Sequence, residues 1–369
     1  MGSHHKRNEG MKPVRRMAAK PKPDRKPKAP DLSPRELAVL TLQQTFLDTL
    51  EEHFSDIWNE KTYEKKLQAI KGHFFRREFS QVFGNPEYCI IYAVRYLPSR
   101  ALAYTDLFRR TAILDLLYPP PVPRRPSESK PPLQHSRKRI VAVGAGVGSE
   151  LCALHLLPQI RMQEIDADEE DMLELLQQDL EIDVIDSAEY GEFLTSLNTT
   201  LHERKRLANA ENVASVRFHY HKQDILSYCR DPEFAKLLSE TTLLTFMFVF
   251  NELFAASKLL TMQLIAAVAE NLQKGSHVLL IESAGDLSQV KIGPATAGTT
   301  QQQVKFEAER LQEEEESKGM MVYKFWDHLP GFEPVLNEDR KWFRLNPTLH
   351  YALEMENVGY FVRLYRKVS

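Results

Sequence analysis

Residues 139–151 read Arg139-Ile-Val-Ala-Val-Gly144-Ala-Gly146-Val-Gly148-Ser-Glu150-Leu, a β-branched run followed by three alternating glycines and an apolar helical start. The pattern predicts a strand, a tight turn and a helix. Gly144 would permit the sharp turn, Gly146 a close approach of backbone to a ligand, and Gly148 close packing of the helix on the strand. Such a turn is typical of sites that bind an adenosine-containing cofactor.

The spacing of these glycines separates one cofactor class from another. Dinucleotide-binding enzymes favour Gly-x-Gly-x-x-Gly, whereas here the third glycine comes one residue earlier and Ser149 occupies the position of theirs. The observed Gly-x-Gly-x-Gly resembles motif I of class I S-adenosylmethionine (SAM) methyltransferases. A glycine turn with a purely structural role is the alternative.

The composition indicates a soluble intracellular protein with enough apolar residues for a large core. The chain has 369 residues, 43% of them hydrophobic, and no run reaches the ~18 apolar residues of a membrane span. Cys89, Cys152 and Cys229 are widely spaced and odd in number, which disfavours both a ligand cluster and a disulfide framework. The histidines are scattered, so we predict no metal site, and the lack of a long apolar run predicts no membrane partner.

Residues 1–30 are strongly basic, although the formal net charge of the whole chain is −3. This segment contains ten lysines and arginines, two acidic residues and five prolines, without apolar periodicity. We expect a disordered basic tail that binds nucleic acid or directs the protein to the nucleus and nucleolus, with the cytoplasm as a second location. A solubilising tail, in part a tag remnant at residues 1–5, is the alternative.

The hydrophobic pattern divides the rest of the chain into two regions joined by a linker. A helix start at Ser33-Pro-Arg-Glu36 opens a long helical stripe, so residues 31–118 are predicted to form an all-helical domain. Seven prolines mark residues 119–136 as a Pro-rich linker. Residues 137–369 then alternate between strand and helix patterns and are predicted to form an α/β domain. The resemblance of its glycine turn to motif I implies that this is the SAM-dependent methyltransferase domain.

Within residues 137–369 the pattern predicts an open parallel sheet with two additional late strands, interrupted by an acidic surface insertion at 162–186. The predicted fold class is α/β, a class I SAM-methyltransferase (Rossmann-like) sheet with late antiparallel strands, preceded by the N-terminal all-helical domain. The predicted strands are Arg139–Val143, Ile182–Asp186, Val213–Tyr220, Leu243–Phe250, His277–Ile281, one near Trp342–Leu345 and Gly359–Lys367, with helices from Ser149 to about Leu157 and over Lys258–Leu272.

Polar residues directly follow several of these strands, at positions that share one edge of an open α/β sheet. Asp186, 42 residues after Gly144, is the candidate partner of the ribose hydroxyls, with Asp183 as its competitor. The acidic insertion accounts for the long spacing. Asp224 is placed to meet the adenine amino group and Ile225 the adenine ring, although Asp224 also fits a helix cap.

Four parts of the chain carry a resemblance to a known family. They are Tyr92-Ala-Val-Arg-Tyr-Leu-Pro-Ser-Arg-Ala-Leu-Ala-Tyr104, Val143–Glu150, Phe246-Met-Phe-Val-Phe-Asn-Glu-Leu-Phe254, and Lys341-Trp-Phe-Arg-Leu345 with Leu353-Glu-Met-Glu-Asn357. Together they resemble the SAM-dependent RNA methyltransferases typified by the fungal large-subunit (25S) rRNA uridine-N3 methyltransferases, over about residues 33–368. The resemblance implies a class I fold, SAM as methyl donor and RNA, in particular an rRNA uridine, as acceptor.

One position departs from the pattern of this family. Motif I commonly has an acid two residues before its first glycine, and here that residue is Ala142. The amine of the methionine moiety would then be held by backbone carbonyls or by Glu150. The predicted cofactor site is formed by Gly144, Ala145, Gly146, Gly148, Glu150, Asp186, Asp224 and Ile225.

The Asn251-Glu252 pair after the fourth strand is the candidate for the chemistry at N3 of uracil. Asn251 would hydrogen-bond the edge of the base, and Glu252 would accept or relay the N3 proton. A first-turn acid favoured by the helix dipole is the alternative for Glu252. Phe248 and Phe250 are predicted to be core residues, because they belong to a continuous apolar strand, and base-stacking platforms are the alternative.

The remaining candidates concern the substrate. Arg95, Tyr96 and Arg100 suit a phosphate, a SAM carboxylate or a stacked base, with surface salt bridges as the alternative. Asp286 is a further substrate-binding candidate. The sequence thus predicts a monomeric SAM-dependent RNA methyltransferase that modifies N3 of a uridine in large-subunit rRNA. A small-molecule or protein methyltransferase of the same fold and a non-catalytic RNA-binding ribosome-assembly factor are the alternatives.

Overall fold

The computed structural model of the chain describes residues 32–76, 78–119, 137–164, 179–207, 216–283, 289–290, 320–321 and 324–369. Three of the predicted features fall outside these residues: the basic tail over 1–30, nearly all of the Pro-rich linker, and Asp286. The acidic insertion at 162–186 is described only at its two ends, 162–164 and 179–186.

The first described region is helical from its predicted start. Its helices are α1 (Pro34–Trp58), α2 (Tyr63–Phe75), α3 (Phe79–Phe83), α4 (Pro86–Phe108) and α5 (Thr111–Leu117). Ser33 caps α1, because its hydroxyl accepts a hydrogen bond from the Glu36 amide (3.3 Å) while the Glu36 carboxylate accepts one from the Ser33 amide (2.8 Å). At the start of α4 the Asn85 side chain accepts a hydrogen bond from the Glu87 amide at 3.0 Å. This cap fixes the first residue of α4, which has more buried residues than any other helix of this region.

The second region contains a seven-stranded sheet with the order β3-β2-β1-β4-β5-β9-β8. The strands are β1 (Lys138–Val143), β2 (Leu180–Asp186), β3 (Val216–Lys222), β4 (Leu243–Met247), β5 (His277–Ser283), β8 (Phe332–Phe343) and β9 (Val358–Lys367), with β6 (Gln289–Val290) and β7 (Met320–Met321) forming a separate pair. Strands β1 to β5 run parallel, β9 pairs antiparallel with β5, and β8 pairs antiparallel with β9. The predicted fold class, including the late antiparallel strands, is confirmed.

Helices cover both faces of this sheet. They are α6 (Ser149–Glu164), α7 (Gly191–Leu207), α8 (Ile225–Tyr228), α9 (Pro232–Ser239), α10 (Phe250–Ala256), α11 (Lys258–Asn271) and α12 (Lys324–Asp327). Alternate residues of β1 point to opposite faces: Ile140 and Ala142 join the core cluster shared with α1, α4 and α6, whereas Val141 and Val143 join the cluster shared with α9 to α12. The N-terminal helices therefore pack directly on one face of the sheet and share its core.

The largest departure from the predicted elements is at the fourth strand. It was expected over Leu243–Phe250, but β4 ends at Met247 and α10 begins at Phe250. Phe248 lies between them with a φ of 60°, and its amide donates a hydrogen bond to the Ile281 carbonyl at 2.7 Å. The prediction that Phe248 is a core strand residue is therefore wrong, because the chain turns out of the sheet one residue earlier.

Smaller departures concern the lengths of elements. The helix predicted from Ser149 to about Leu157 continues to Glu164, and the late strand expected near Trp342–Leu345 overlaps only the last two residues of the twelve-residue β8. No described helix is long and apolar enough to cross a membrane. All three cysteines are free and buried, and the described residues contain no group of side chains arranged to hold a metal ion.

Candidate active site at the carboxyl edge of the sheet

The glycine turn after β1 has the close contacts that its sequence predicts. Gly144 and Gly148 have φ values of 69° and 81°, a region that favours glycine. A Cβ atom on Gly146 would lie 2.0 Å from the Tyr190 ring and 2.6 Å from Oδ2 of Asp186. Gly148 packs against Leu194 of α7, so its role is close packing. Any side chain at position 146 would displace the two residues that face it.

Asp186 ends β2 beside this turn. Its Oδ2 accepts a hydrogen bond from the Gly146 amide, and its Oδ1 accepts one from the Ala188 amide, both at 2.9 Å. Burial raises the pKa of this carboxyl, and the amide hydrogen bonds oppose that effect. Its competitor Asp183 instead faces His221 (2.8 Å) and Arg139 (3.5 Å). Of the two acids, the structure brings only Asp186 to the turn.

A cavity of about 520 Å³ opens next to the turn, between α4 and the carboxyl edge of the sheet. The cofactor candidates Gly144, Glu150, Asp186, Asp224 and Ile225 all line it, whereas Ala145, Gly146 and Gly148 are not among its lining residues. The cavity is also lined by aromatic and charged side chains from α3, from α4 and from the segment after β4. They include Phe79, Tyr92, Arg100, Tyr104, Phe248 and Glu252.

Asp224 was predicted either to contact the adenine amino group or to cap a helix, and its position in the structure allows both. It caps α8, because its Oδ1 accepts a hydrogen bond from the Leu226 amide at 3.0 Å. Asp224 and Ile225 also line the cavity, just after the carboxyl end of β3, which is the outermost strand on that side of the sheet. A helix cap and a cofactor contact are compatible here, since a carboxylate has lone pairs for both.

Glu150, in the first turn of α6, is a buried carboxyl at the cavity wall. Only 2% of its surface is exposed, and burial raises its pKa to about 8, with the charge of Arg100 acting in the opposite direction. It stands eight residues after Ala142, which is itself fully buried and carries no polar group. The structure therefore has a buried acid on the cavity wall in the first turn of α6, and none at the usual motif I position.

Glu252, in the first turn of α10, is the second cavity carboxyl. Burial raises its pKa to about 8; the negative charge of Glu282 adds to this shift and Arg100 opposes it. A carboxyl with a pKa near neutrality can both accept and release a proton under physiological conditions. Glu252 lies on the cavity wall, and its role as the proton acceptor stays a prediction.

Asn251 points elsewhere. Its side-chain amide donates to Oε2 of Glu282 (3.1 Å), and its backbone amide donates to Oε1 of the same residue (3.2 Å). The Phe250 amide donates to that oxygen as well, at 2.6 Å. Asn251 is not among the residues that line the cavity. The structure therefore replaces the predicted base contact of Asn251 with a structural one, in which Glu282 at the end of β5 fixes the start of α10.

The three α4 candidates also separate. Arg95 is 4% exposed, forms an ion pair with Glu356 and lies 5.2 Å above the Tyr96 ring, and neither Arg95 nor Tyr96 lines the cavity. The predicted substrate contact of this pair is not what the structure shows, because Arg95 joins α4 to the loop before β9. Arg100 does line the cavity.

The guanidinium of Arg100 rests on aromatic rings. It lies 5.2 Å from the centroid of Phe248 and 5.3 Å from that of Tyr92. In the part of the chain that the structure describes, no carboxylate reaches ion-pair distance of Arg100. Its charge instead lowers the pKa of both Glu150 and Glu252, so it is the cation that these two acids share.

Several aromatic residues that line the cavity were not predicted as site residues, and Tyr92, Tyr104 and Phe248 are among them. Phe248 stacks on Tyr104 with ring centroids 6.3 Å apart and an interplanar angle of 15°. A signal was present in the sequence, since Tyr92, Arg100 and Tyr104 are separated by multiples of four residues and so face one side of α4. For Phe248 no local signal existed, because its run of apolar neighbours reads as a buried strand.

The two raised carboxyl pKa values predict how stability depends on pH. The folded protein retains protons on Glu150 and Glu252 that the unfolded chain releases above a pKa near 4.5, so stability decreases as pH rises towards about 8. Between about pH 6 and about pH 8 each group should cost roughly 2 kcal/mol of unfolding free energy. Urea denaturation at several pH values measures this slope. Glu150→Gln should remove its share, and an equal slope in that variant would contradict the assignment.

The sequence as a whole matches a known family. A family model described as "Putative SAM-dependent methyltransferase" matches residues 50–366, which include the glycine turn, both cavity glutamates and the late strands. The chain belongs to this family. It is therefore a methyltransferase, and its cofactor is SAM. The cavity is compatible with that cofactor, because a glycine turn, a carboxylate at the end of β2 and a buried acid at the start of α6 meet within it.

One curated relative covers nearly the whole chain. It is the 25S rRNA (uridine(2843)-N(3))-methyltransferase of Saccharomyces cerevisiae, which is 25% identical over 346 residues, or 91% of this chain and 86% of the yeast protein. Solved structures of methyltransferases show weaker likeness. An O-methyltransferase family protein from Burkholderia thailandensis is 9% identical, covering 88% of this chain and 72% of its own, with a TM-score of 0.34. The 16S rRNA (adenine(1408)-N(1))-methyltransferase of Catenulisporales acidiphilia is 12% identical, covering 64% and 88%, with a TM-score of 0.31. The strand order and the family model, rather than these structures, identify the fold.

Proposed function

We propose that this methyltransferase acts on RNA and methylates N3 of a uridine in large-subunit rRNA. The observation that carries the proposal is the position of Glu252, a carboxyl with a pKa of about 8 in the same cavity as the glycine turn and Asp186. The named activity of the yeast relative supports the choice of substrate. A proton acceptor beside the cofactor is what methylation of an imide nitrogen requires.

The cofactor would be held by residues of three strand ends. In this proposal Asp186 accepts hydrogen bonds from the ribose hydroxyls, Asp224 meets the adenine amino group and Ile225 contacts the ring. Glu150 pairs with the amine of the methionine moiety, since Ala142 offers no acid. A bound ammonium group would favour the ionised form of Glu150 and reduce its unfavourable burial. SAM supplies an electrophilic methyl group on a sulfonium.

The protein supplies position and a place for the proton. N3 of uracil becomes nucleophilic as its proton leaves, and Glu252 takes up that proton. Arg100 keeps Glu252 ionisable, because its positive charge lowers the pKa of the carboxyl against the effects of burial and of Glu282. Phe248 presents a ring to the cavity, against which a planar base can pack.

Asn251 receives a positioning role in place of the one predicted. Together with the amide of Phe250, it surrounds the Glu282 carboxylate and so holds the first turn of α10, which carries Glu252. In this proposal the partner is RNA, the protein acts in the nucleus and nucleolus, and it works as a monomer. The basic tail over 1–30 fits the first two.

A direct test of the substrate is nucleoside mass analysis of rRNA. Cells that lack this protein should lose 3-methyluridine from the large-subunit rRNA, and the parent gene should restore it, whereas a Glu252→Gln gene should not. Unchanged 3-methyluridine would overturn the substrate and leave a small-molecule or protein acceptor. Failure of the purified protein to bind SAM in calorimetry would instead favour the non-catalytic assembly factor.

A further inference from the structure

The stretch Lys341–Arg344 has no role in the cavity, although it is one of the stretches that carry the family resemblance. Its first three residues end β8, the outermost strand of the sheet, which among the described residues has a neighbouring strand, β9, on one side only. Trp342 is 59% exposed, which is unusual for the largest apolar side chain. An edge strand that exposes a tryptophan is a candidate interaction surface.

A β-bulge determines the direction of this tryptophan. Glu338 pairs with Val362 of β9, whereas Lys341 pairs with Tyr360, so two residues of β8 oppose one residue of β9. Within the bulge Arg340 has a φ of 51°, a strained conformation for a residue with a side chain. Such an insertion transfers every later side chain to the other face of the strand.

The consequence of the bulge is that Trp342 faces a glycine. In the observed register Trp342 pairs with Gly359 and Phe343 with Val358; without the extra residue Trp342 would oppose Val358. A Cβ atom on Gly359 would lie 3.0 to 3.1 Å from three atoms of the indole. The indole therefore lies directly on the backbone of β9, which supports one side of the ring while much of the residue remains open to solvent.

Three basic residues, Arg340, Lys341 and Arg344, adjoin Trp342 in the sequence. Arg340 and Arg344 are exposed, and among the described residues no carboxylate lies within ion-pair distance of either. Lys341 is 3.7 Å from Glu338, so its charge is partly balanced. Available arginines on both sides of an open aromatic ring suit a chain of phosphates with stacked bases.

This surface lies at the same sheet edge as the cavity. Because β8 and β5 are both antiparallel to β9, β8 runs in the direction of the parallel strands, and its end reaches their carboxyl edge. Three strand spacings separate β8 from β4, or about 15 Å. Nucleotides adjoining a base in the cavity can extend over such a distance.

We propose that Trp342, Arg340 and Arg344 bind single-stranded RNA next to the target nucleotide. Trp342 stacks on one base, and the two arginines contact phosphates on either side of it. The proposal rests on the proposed function, because it presumes that the substrate is RNA. It adds a second contact region that holds the flanking strand without taking part in the methylation chemistry.

The test measures binding of the full chain to a fluorescein-labelled oligouridylate of about ten nucleotides by fluorescence anisotropy. Trp342→Ala should weaken binding roughly tenfold to a hundredfold, and Trp342→Phe should retain most of it. Arg344→Gln should weaken binding and reduce the slope of log affinity against log salt by about 0.7. Leu259→Ala, which truncates another exposed apolar side chain (66% exposed), is the matched control and should bind like the parent.

The outcomes separate this surface from the proposed function. Parent-like binding by both Trp342→Ala and Arg344→Gln overturns the surface, whatever rRNA analysis shows. If binding depends on Trp342 but 3-methyluridine persists in cells lacking the protein, the uridine substrate is wrong and the surface stands. In methyl transfer the surface predicts a raised KM with kcat nearly unchanged, and SAM affinity should equal that of the parent. A loss of kcat or of SAM affinity in Trp342→Ala would contradict it.

Discussion

Replacing Glu252 by Gln should reduce methyl transfer by a factor of about 10² to 10⁴ while leaving SAM affinity close to that of the parent. Glutamine keeps the size and hydrogen-bonding capacity of the side chain but cannot take up the N3 proton. The cavity itself should remain intact, because α10 is held by Glu282 through the amides of Phe250 and Asn251. Single-turnover methylation of an RNA substrate and calorimetry with SAM measure the two effects separately.

The pH dependence of the reaction provides a second test of the same residue. With a pKa of about 8, Glu252 is mainly protonated at neutral pH and becomes the competent base as pH rises. The parent rate should therefore increase about tenfold per pH unit below this value and level off above it. Glu252→Gln should show no such rise from a carboxyl group. A parent profile that is flat between about pH 6 and about pH 8 would assign the proton to solvent.

The matched control must test the alternative role of a first-turn acid. Glu233 occupies the first turn of α9 as Glu252 does that of α10, but it is exposed and outside the cavity. Glu233→Gln should retain the parent rate, with at most a loss of about 1 kcal/mol from the helix dipole. If both variants transfer methyl groups at the parent rate, Glu252 is only a helix-stabilising acid.

The parts of this molecule that the sequence predicts well are those determined by local contacts. The glycine turn requires backbone conformations and close approaches that other residues rarely satisfy. Gly144 and Gly148 can therefore be predicted without knowledge of the fold. The ends of β2 and β3 follow from the apolar runs before them, and Asp186 and Asp224 line the cavity as expected. The parallel order of strands follows from their alternation with helices.

Distant partners explain the residues that were misplaced. Arg95 reads as an unpaired cation until Glu356, 261 residues away in sequence, is brought beside it. Asn251 reads as a free amide until β5 places Glu282 against it. Phe248 lies outside β4, and its amide donates a hydrogen bond to the Ile281 carbonyl of β5. A pattern of apolar residues cannot predict this contact between distant parts of the chain. Trp342 likewise depends on a one-residue bulge opposite β9.

Replacing Gly146 by Ala should reduce SAM affinity roughly tenfold to a hundredfold. The added methyl group would lie 2.0 Å from the Tyr190 ring and 2.6 Å from Oδ2 of Asp186, so one or both must move, at a cost of about 1–3 kcal/mol. Movement of Asp186 would remove the hydrogen bond that it accepts from the Gly146 amide. Calorimetry with SAM measures the loss, and thermal unfolding shows whether the variant is folded.

Gly72→Ala is the matched control, because it adds the same methyl group within α2, where the nearest atom is the flexible end of Arg76 at 3.3 Å. Alanine should stabilise that helix by about 1 kcal/mol and leave SAM affinity unchanged. Asp186→Asn provides a second variant that adds no bulk, and it should also weaken SAM binding. If Gly146→Ala and Asp186→Asn both bind SAM like the parent, the turn is a structural one and the adenosine moiety lies elsewhere in the cavity.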